Sequence, residues 1–229
     1  MNPSSAKLRP AFVRAAPLLA LLLLTGLQNV TGEAGKYWVY LVKIVVGGWL
    51  IWSFRREISE LRWRFTWEAA VVGIGMFVIW VGLAPLVSLL GLSPSWIAIK
   101  PAGTAEWRPQ AFFQSAALAW FFIVVRIIGS TVVVPPIEEV FFRSFVYRYV
   151  AKPDFQTVPL GQFLWTPFIV TSVLFGFEHR EWLAGILCGF AYQGLVCWKK
   201  RLGDAIIAHA VTNFLLGLWI VHKDAWHFW

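Results

Sequence analysis

Charge is what this chain has least of. Only 14% of its 229 residues are Asp, Glu, Lys or Arg, against about 25% in soluble globular proteins. With AVILMFWYC at 59% and a mean hydropathy of +0.66, there is too little polar surface to cover a water-soluble core of this size. Cysteine is scarce as well, with Cys188 and Cys197 the only two. If their shared apolar run is helical they lie about 13 Å apart on opposite faces, which excludes a mutual disulfide. No CxxC pair or Cys/His cluster has the spacing of a structural zinc site. Internal repeats, low-complexity tracts and linkers long enough to mark a second domain are missing too. So are the HExxH helix, the GxSxG elbow, the phosphate-binding loop and the dinucleotide fingerprint.

What the sequence does contain is a series of apolar runs, roughly 15–27, 37–54, 69–92, 111–134, 137–150, 163–177, 182–198 and 202–221. Several approach the ~20 residues a helix needs to cross a hydrocarbon core. They predict an all-α polytopic membrane protein of about eight transmembrane helices, with the lipid bilayer as its first partner. The runs 137–150, 163–177 and 182–198 are short, and short charged helices persist at membrane depth only where protein or a water-filled cavity satisfies them. The formal charge of +8 comes from basic residues placed between apolar runs, which suits an anionic lipid surface and excludes a nucleic-acid groove. Lys7, Arg9 and Arg14 precede the first run as in a signal anchor, and no small-x-small cleavage site follows. Trp67, Trp96, Trp107, Trp182, Trp198, Trp226 and Trp229 fall at run ends, where indoles favour the headgroup layer. His222 and His227, in the aromatic tail 222–229, read as interface anchors.

Residues 55–68 place Ile58, Leu61 and Phe65 on one stripe, with Glu60 four residues before Arg64, which predicts an interfacial connector helix. Topology conflicts with the eight runs. The basic N-terminus and the 55–68 connector share a side, yet Lys199, Lys200 and Arg201 fall five crossings later, on the other. One segment must fail to cross fully, with 137–150 the candidate, or the positive-inside tendency fails there.

Chemistry concentrates in three places. In VVVPPIEEVFFRSFVYRYV (132–150) a Pro pair, able to start but not continue a helix, precedes two adjacent glutamates. On a helix Glu139 and Arg143 differ by about 40° and can pair, while Glu138 lies about 140° from Arg143 and has no partner of its own. An unpaired carboxylate whose charge is disfavoured by burial is suited to accept a proton from water, although a structural ion pair with a second satisfied Glu is equally open. In SVLFGFEHREW (172–182) His179 ends an apolar segment. In DAIIAHAVTNFLLGLW (204–219) His209 and Asn213 share a helical face, as interhelical glue or as donors to an oxyanion. The set fits water activation by carboxylate and imidazole, or a metal such as zinc held by Glu and His.

These three segments together resemble the CAAX-protease and bacteriocin-processing (CPBP, or Abi) family of intramembrane proteases. EExxxR is present as Glu138, Glu139 and Arg143, FxxxH as Phe175 and His179, and HxxxN as His209 and Asn213, in the family's order. RIIGSTVVVPPIEEVFFRSF and the Trp-rich tail are similar to a bacterial branch associated with exosortase and PEP-CTERM sorting systems. The resemblance covers a catalytic core at 125–221, after N-terminal helices at 1–124. It implies an integral protein of the bacterial plasma membrane, with a polar cavity open toward cytosol and lipid, that hydrolyses a membrane-associated protein substrate without a cofactor. By the family's scheme Glu138 with His179 would activate water, His209 and Asn213 would stabilise the oxyanion, Glu139 with Arg143 would hold the catalytic helix, and Phe175 would pack. A zinc-dependent hydrolase and a non-catalytic scaffold or immunity protein are the alternatives.

Overall fold

The structure, a computed structural model, describes residues 3–91 and 107–229; Trp96 and the last residue of the third apolar run lie outside them. Every regular element among the described residues is helical. In chain order they are α1 (Pro3–Val30), α2 (Gly32–Phe54), α3 (Trp67–Leu89), the single turn α4 (Pro109–Phe112), α5 (Ala116–Ala151), α6 (Trp165–Phe177), α7 (Trp182–Lys199) and α8 (Gly203–Lys223). Short 3-10 turns follow α5 at Phe155–Thr157 and α8 at Trp226–Phe228. Among the described residues five segments are long and apolar enough to cross a membrane: Arg9–Val30, Gly32–Phe54, Trp67–Val87, Ala116–Ala151 and Gly203–Lys223. The all-α membrane fold is as the composition predicts.

The expected break at the Pro pair does not occur. Runs 111–134 and 137–150 form the single helix α5, and Pro135 and Pro136 lie buried inside it. A proline ring clashes with the carbonyl four residues back and offers no N–H. The backbone answers by widening into π turns at Gly129–Val133 and Val140–Val146, and the Val134 N–H reaches the Gly129 carbonyl five residues earlier. The wider turn accommodates the rings without ending the helix. At the start of α5, the Ser115 hydroxyl caps the Leu118 N–H at 3.4 Å.

Joining those runs removes one crossing and with it the topological conflict. Lys199 pairs with Glu68 at 2.5 Å, and the Thr66 hydroxyl donates to Asp204 at 2.6 Å. At the same end Arg9 pairs with Glu57 at 2.5 Å, and Arg14 with Glu60 at 2.9 Å. The N-terminus, the 55–66 connection and Lys199–Arg201 therefore share one basic end of the bundle.

The 55–68 connector is not the interfacial helix its stripe predicts. It runs as turns and extended chain, with Ile58 fully buried and Phe65 exposed. Glu60 does not pair with Arg64, because Arg14 and Arg148 reach its carboxylate from α1 and α5, at 2.9 and 3.0 Å. Two buried guanidinium groups outcompete one on the surface. The tryptophans also divide. Trp67 and Trp198 are exposed, as the interfacial reading expects, whereas Trp107, Trp226 and Trp229 are buried against Tyr37, Phe122 and Ile220 at the opposite end. His222 and His227 are exposed there. A second apolar cluster, including Leu21, Ile137, Phe175 and Ile206, fills the bundle toward the basic end.

Candidate active site

Helix α5 presents the glutamates where its second π turn begins, α6 delivers Phe175 and, just past its end, His179, and α8 supplies His209 and Asn213. Glu139 is fully buried between Arg143 and His209: its Oε2 lies 3.0 Å from Arg143 Nε, and its Oε1 lies 3.0 Å from His209 Nδ1. Arg143 is itself buried, with its guanidinium carbon 4.3 Å from the Phe175 ring centre and one N–H donated to the Gly189 carbonyl at 3.4 Å. The i,i+4 pairing predicted for Glu139 and Arg143 is therefore present.

Glu138 is buried and has no such pairing. One of its carboxylate oxygens, Oε2, has no hydrogen-bond donor, and His209 Nε2 lies 3.8 Å away. His209 thus stands between the two glutamates, bonded to the second and facing the first. Tyr192 stacks on its ring with centroids 5.2 Å apart, and the Tyr192 hydroxyl is held by Thr212 at 2.8 Å. The imidazole cannot turn without breaking that stack.

His179 anchors its Nδ1 on the Phe175 carbonyl at 2.8 Å, which leaves Nε2 as the acceptor nitrogen. Trp80 of α3 closes on its ring edge-to-face at 5.4 Å. Phe175 separates the imidazoles, with its ring centre 4.8 Å from His179 and 5.7 Å from His209. Asn213 spends one amide N–H on the Ser130 carbonyl at 2.8 Å, in the first π turn of α5. Its second N–H is the one available to another acceptor.

A cavity of about 560 Å³ leads to this cluster, lined at its inner end by Leu21, Val134, Glu138, Glu178 and His179. It continues past Arg126 and Lys36 to Trp107, His227 and Trp229, so its mouth lies at the end remote from the basic loops. Toward the basic end the way is closed by Arg14, Glu60, Ser144 and Arg148, which are joined through Glu60.

Sequence reasoning missed three residues here. Glu178 lines the cavity with Glu138 and has an unbonded buried oxygen, but in sequence it is one charge in a polar cap. Tyr192 sits in a glycine-rich apolar helix and carries no motif. Arg126, about two and a half turns before the Pro pair, is a lone charge inside the 111–134 run and carries no motif. Glu139 is engaged by Arg143 and His209, and among the described residues no three His, Cys, Asp or Glu side chains gather as a ligand set.

Residues 117–215 match the family model for the type II CAAX prenyl endopeptidase Rce1-like family, a stretch that includes every predicted site residue from Glu138 to Asn213. No curated protein and no solved structure matches the chain.

Proposed function

From the match of residues 117–215 to the type II CAAX prenyl endopeptidase Rce1-like family model, we propose that this chain is a glutamate-type intramembrane endopeptidase. The observation that carries the reading is the Glu138 carboxylate, buried, lacking a donor on Oε2 and lining the inner end of the cavity. A carboxylate so placed can take a proton from water as the water oxygen bonds to a peptide carbonyl carbon. His179, with its acceptor nitrogen free, shares that task. Glu139 lies against Nδ1 and fixes the ring of His209, and a proton carried on Nε2 donates to the tetrahedral oxyanion together with the second amide N–H of Asn213. Collapse of the intermediate breaks the C–N bond, and the proton held by Glu138 passes to the leaving amine. Arg143 and Phe175 fix the glutamate pair and the two imidazoles.

The substrate is a membrane-associated protein, lipidated or anchored, cut near its end or at the membrane boundary. If the basic end is cytoplasmic, as the positive-inside tendency directs, the cavity opens away from the cytoplasm, the reverse of the orientation implied by the resemblance. In a bacterial plasma membrane the substrate would then be a protein already translocated. The test compares protein termini in membranes from cells carrying wild type and Glu138→Gln at matched abundance. New termini confined to wild type would support the reading, whereas identical profiles would favour a scaffold that uses the same residues as polar glue. Metal analysis of purified protein tests the metal-free scheme, which stoichiometric zinc with activity lost on its removal would overturn.

A further inference from the structure

The outer half of the cavity holds the guanidinium of Arg126. Arg126 lines the cavity, and its guanidinium carbon lies 4.5, 4.9 and 5.3 Å from the ring centres of Trp107, Tyr40 and Trp229. Among the described residues no carboxylate pairs with it, although Arg9, Arg14, Arg108, Arg143, Arg148 and Arg201 each have one. The aromatic faces stabilise the charge and fix the plane of the guanidinium. They leave its forked N–H groups, whose geometry matches a carboxylate, without an anionic acceptor.

Position gives this cation a purpose. Arg126, Ser130, Val134 and Glu138 line the cavity along one helix. Twelve residues separate Arg126 from Glu138, about 18 Å at the rise of an α-helix, slightly less through the π turn. An extended peptide covers that distance in about five residues at ~3.4 Å each.

We propose that Arg126 is the anchor for a carboxylate of the bound peptide, placed about five residues beyond the scissile bond at Glu138. The proposal rests on the endopeptidase reading and adds to it the feature that sets the substrate's register. Aromatic walls exclude water from the pair, and the inner end of the cavity presents the carboxyl groups of Glu138 and Glu178 rather than a second guanidinium. The carboxylate comes from the end of a chain or from an Asp or Glu side chain, and one set of probes separates the two.

Full-length protein carrying Glu138→Gln, which cannot consume its ligand, is reconstituted in nanodiscs and titrated calorimetrically with three acetylated apolar pentapeptides. One ends in a free acid, one in an amide, and one in an amide with Asp as its last residue. The expected result is that the free acid or the Asp peptide binds at least about tenfold more tightly than the plain amide, as a charge-assisted bond implies. Whichever does identifies the source. Arg126→Gln removes the preference, and Arg126→Lys, which keeps the charge without the fork, retains part of it and confirms that the site still folds. Equal affinity for all three peptides, or a preference that survives Arg126→Gln, overturns the proposal. Because the readout is binding, it stands apart from the terminus comparison that tests proteolysis.

Discussion

His209 presents its Nδ1 3.0 Å from Glu139 Oε1, while the neighbouring Glu138 stands 3.8 Å from the opposite ring nitrogen. One imidazole therefore separates two adjacent carboxylates into different tasks. Glu139 shares the charge of Arg143 and orients the ring. Glu138, which has no such partner, is the carboxylate left to react.

That division predicts opposite profiles for two amide substitutions. Glu138→Gln should abolish proteolysis, by about 10²–10⁴-fold for loss of a general base, while the thermal midpoint in detergent stays level or rises, since an unpaired buried carboxylate is removed. Glu139→Gln should lose activity and also unfold earlier, by about 3–5 kcal/mol, because Arg143 is left buried without its counter-charge. Equal destabilisation by both would assign Glu138 a structural role.

The approach of α6 to α7 sets where His179 lies. A Cβ on Gly189 would come within 2.7 Å of the Ser172 carbonyl oxygen and 2.8 Å of the Ser172 Cα. Both are backbone atoms that cannot swing aside. Gly189→Ala should therefore cost about 1–3 kcal/mol and lower activity, because α6 carries Phe175 and leads into His179. Gly194 on the same helix faces open space, so Gly194→Ala should be neutral or slightly stabilising. Thermal midpoints and turnover measured side by side check the contrast.

Much of this site was legible before any coordinates, for a definable reason. Motif spacing on a helix fixes which side chains share a face, so Glu139–Arg143 pairing and the isolation of Glu138 followed from residue number alone. Partners contributed by other helices did not. Nothing local to Glu138 shows that His209 faces it across 3.8 Å, or that Asn213 is tied to Ser130. The Pro pair misled because proline's cost is computed for α-helical geometry, and a π turn relieves it. The connector misled because a helical stripe says nothing of Arg14 and Arg148, which are distant in sequence and claim Glu60.

Helix α8 is one of the segments long and apolar enough to cross, so it separates residue 201 from Trp229. Reporter fusions after residue 201 and after Trp229 should therefore report different compartments, with residue 201 cytoplasmic. A cytoplasmic tail beyond Trp229 would invert the cavity and place substrate encounter inside the cell.

Acid should weaken the closure of the cavity's basic end. Burial alone would raise the Glu60 carboxyl, but the Ser144 hydroxyl and the Arg14 and Arg148 guanidinium groups hold it below its ordinary value of 4.5. A carboxyl with a depressed folded pKa binds fewer protons folded than unfolded. Its stabilisation is thus fully present above the ordinary value and disappears as pH falls through the folded one. Glu60→Gln should be markedly less stable than wild type near neutral pH, because two buried arginines lose their shared anion. As pH falls below the ordinary value of 4.5 toward the depressed folded one, wild type progressively loses that stabilisation, and the difference between the two proteins should narrow. Thermal midpoints of both proteins from pH 7 to pH 3.5 measure this directly. A gap that stays constant across that range would mean that the Glu60 cluster does not draw its stability from charge.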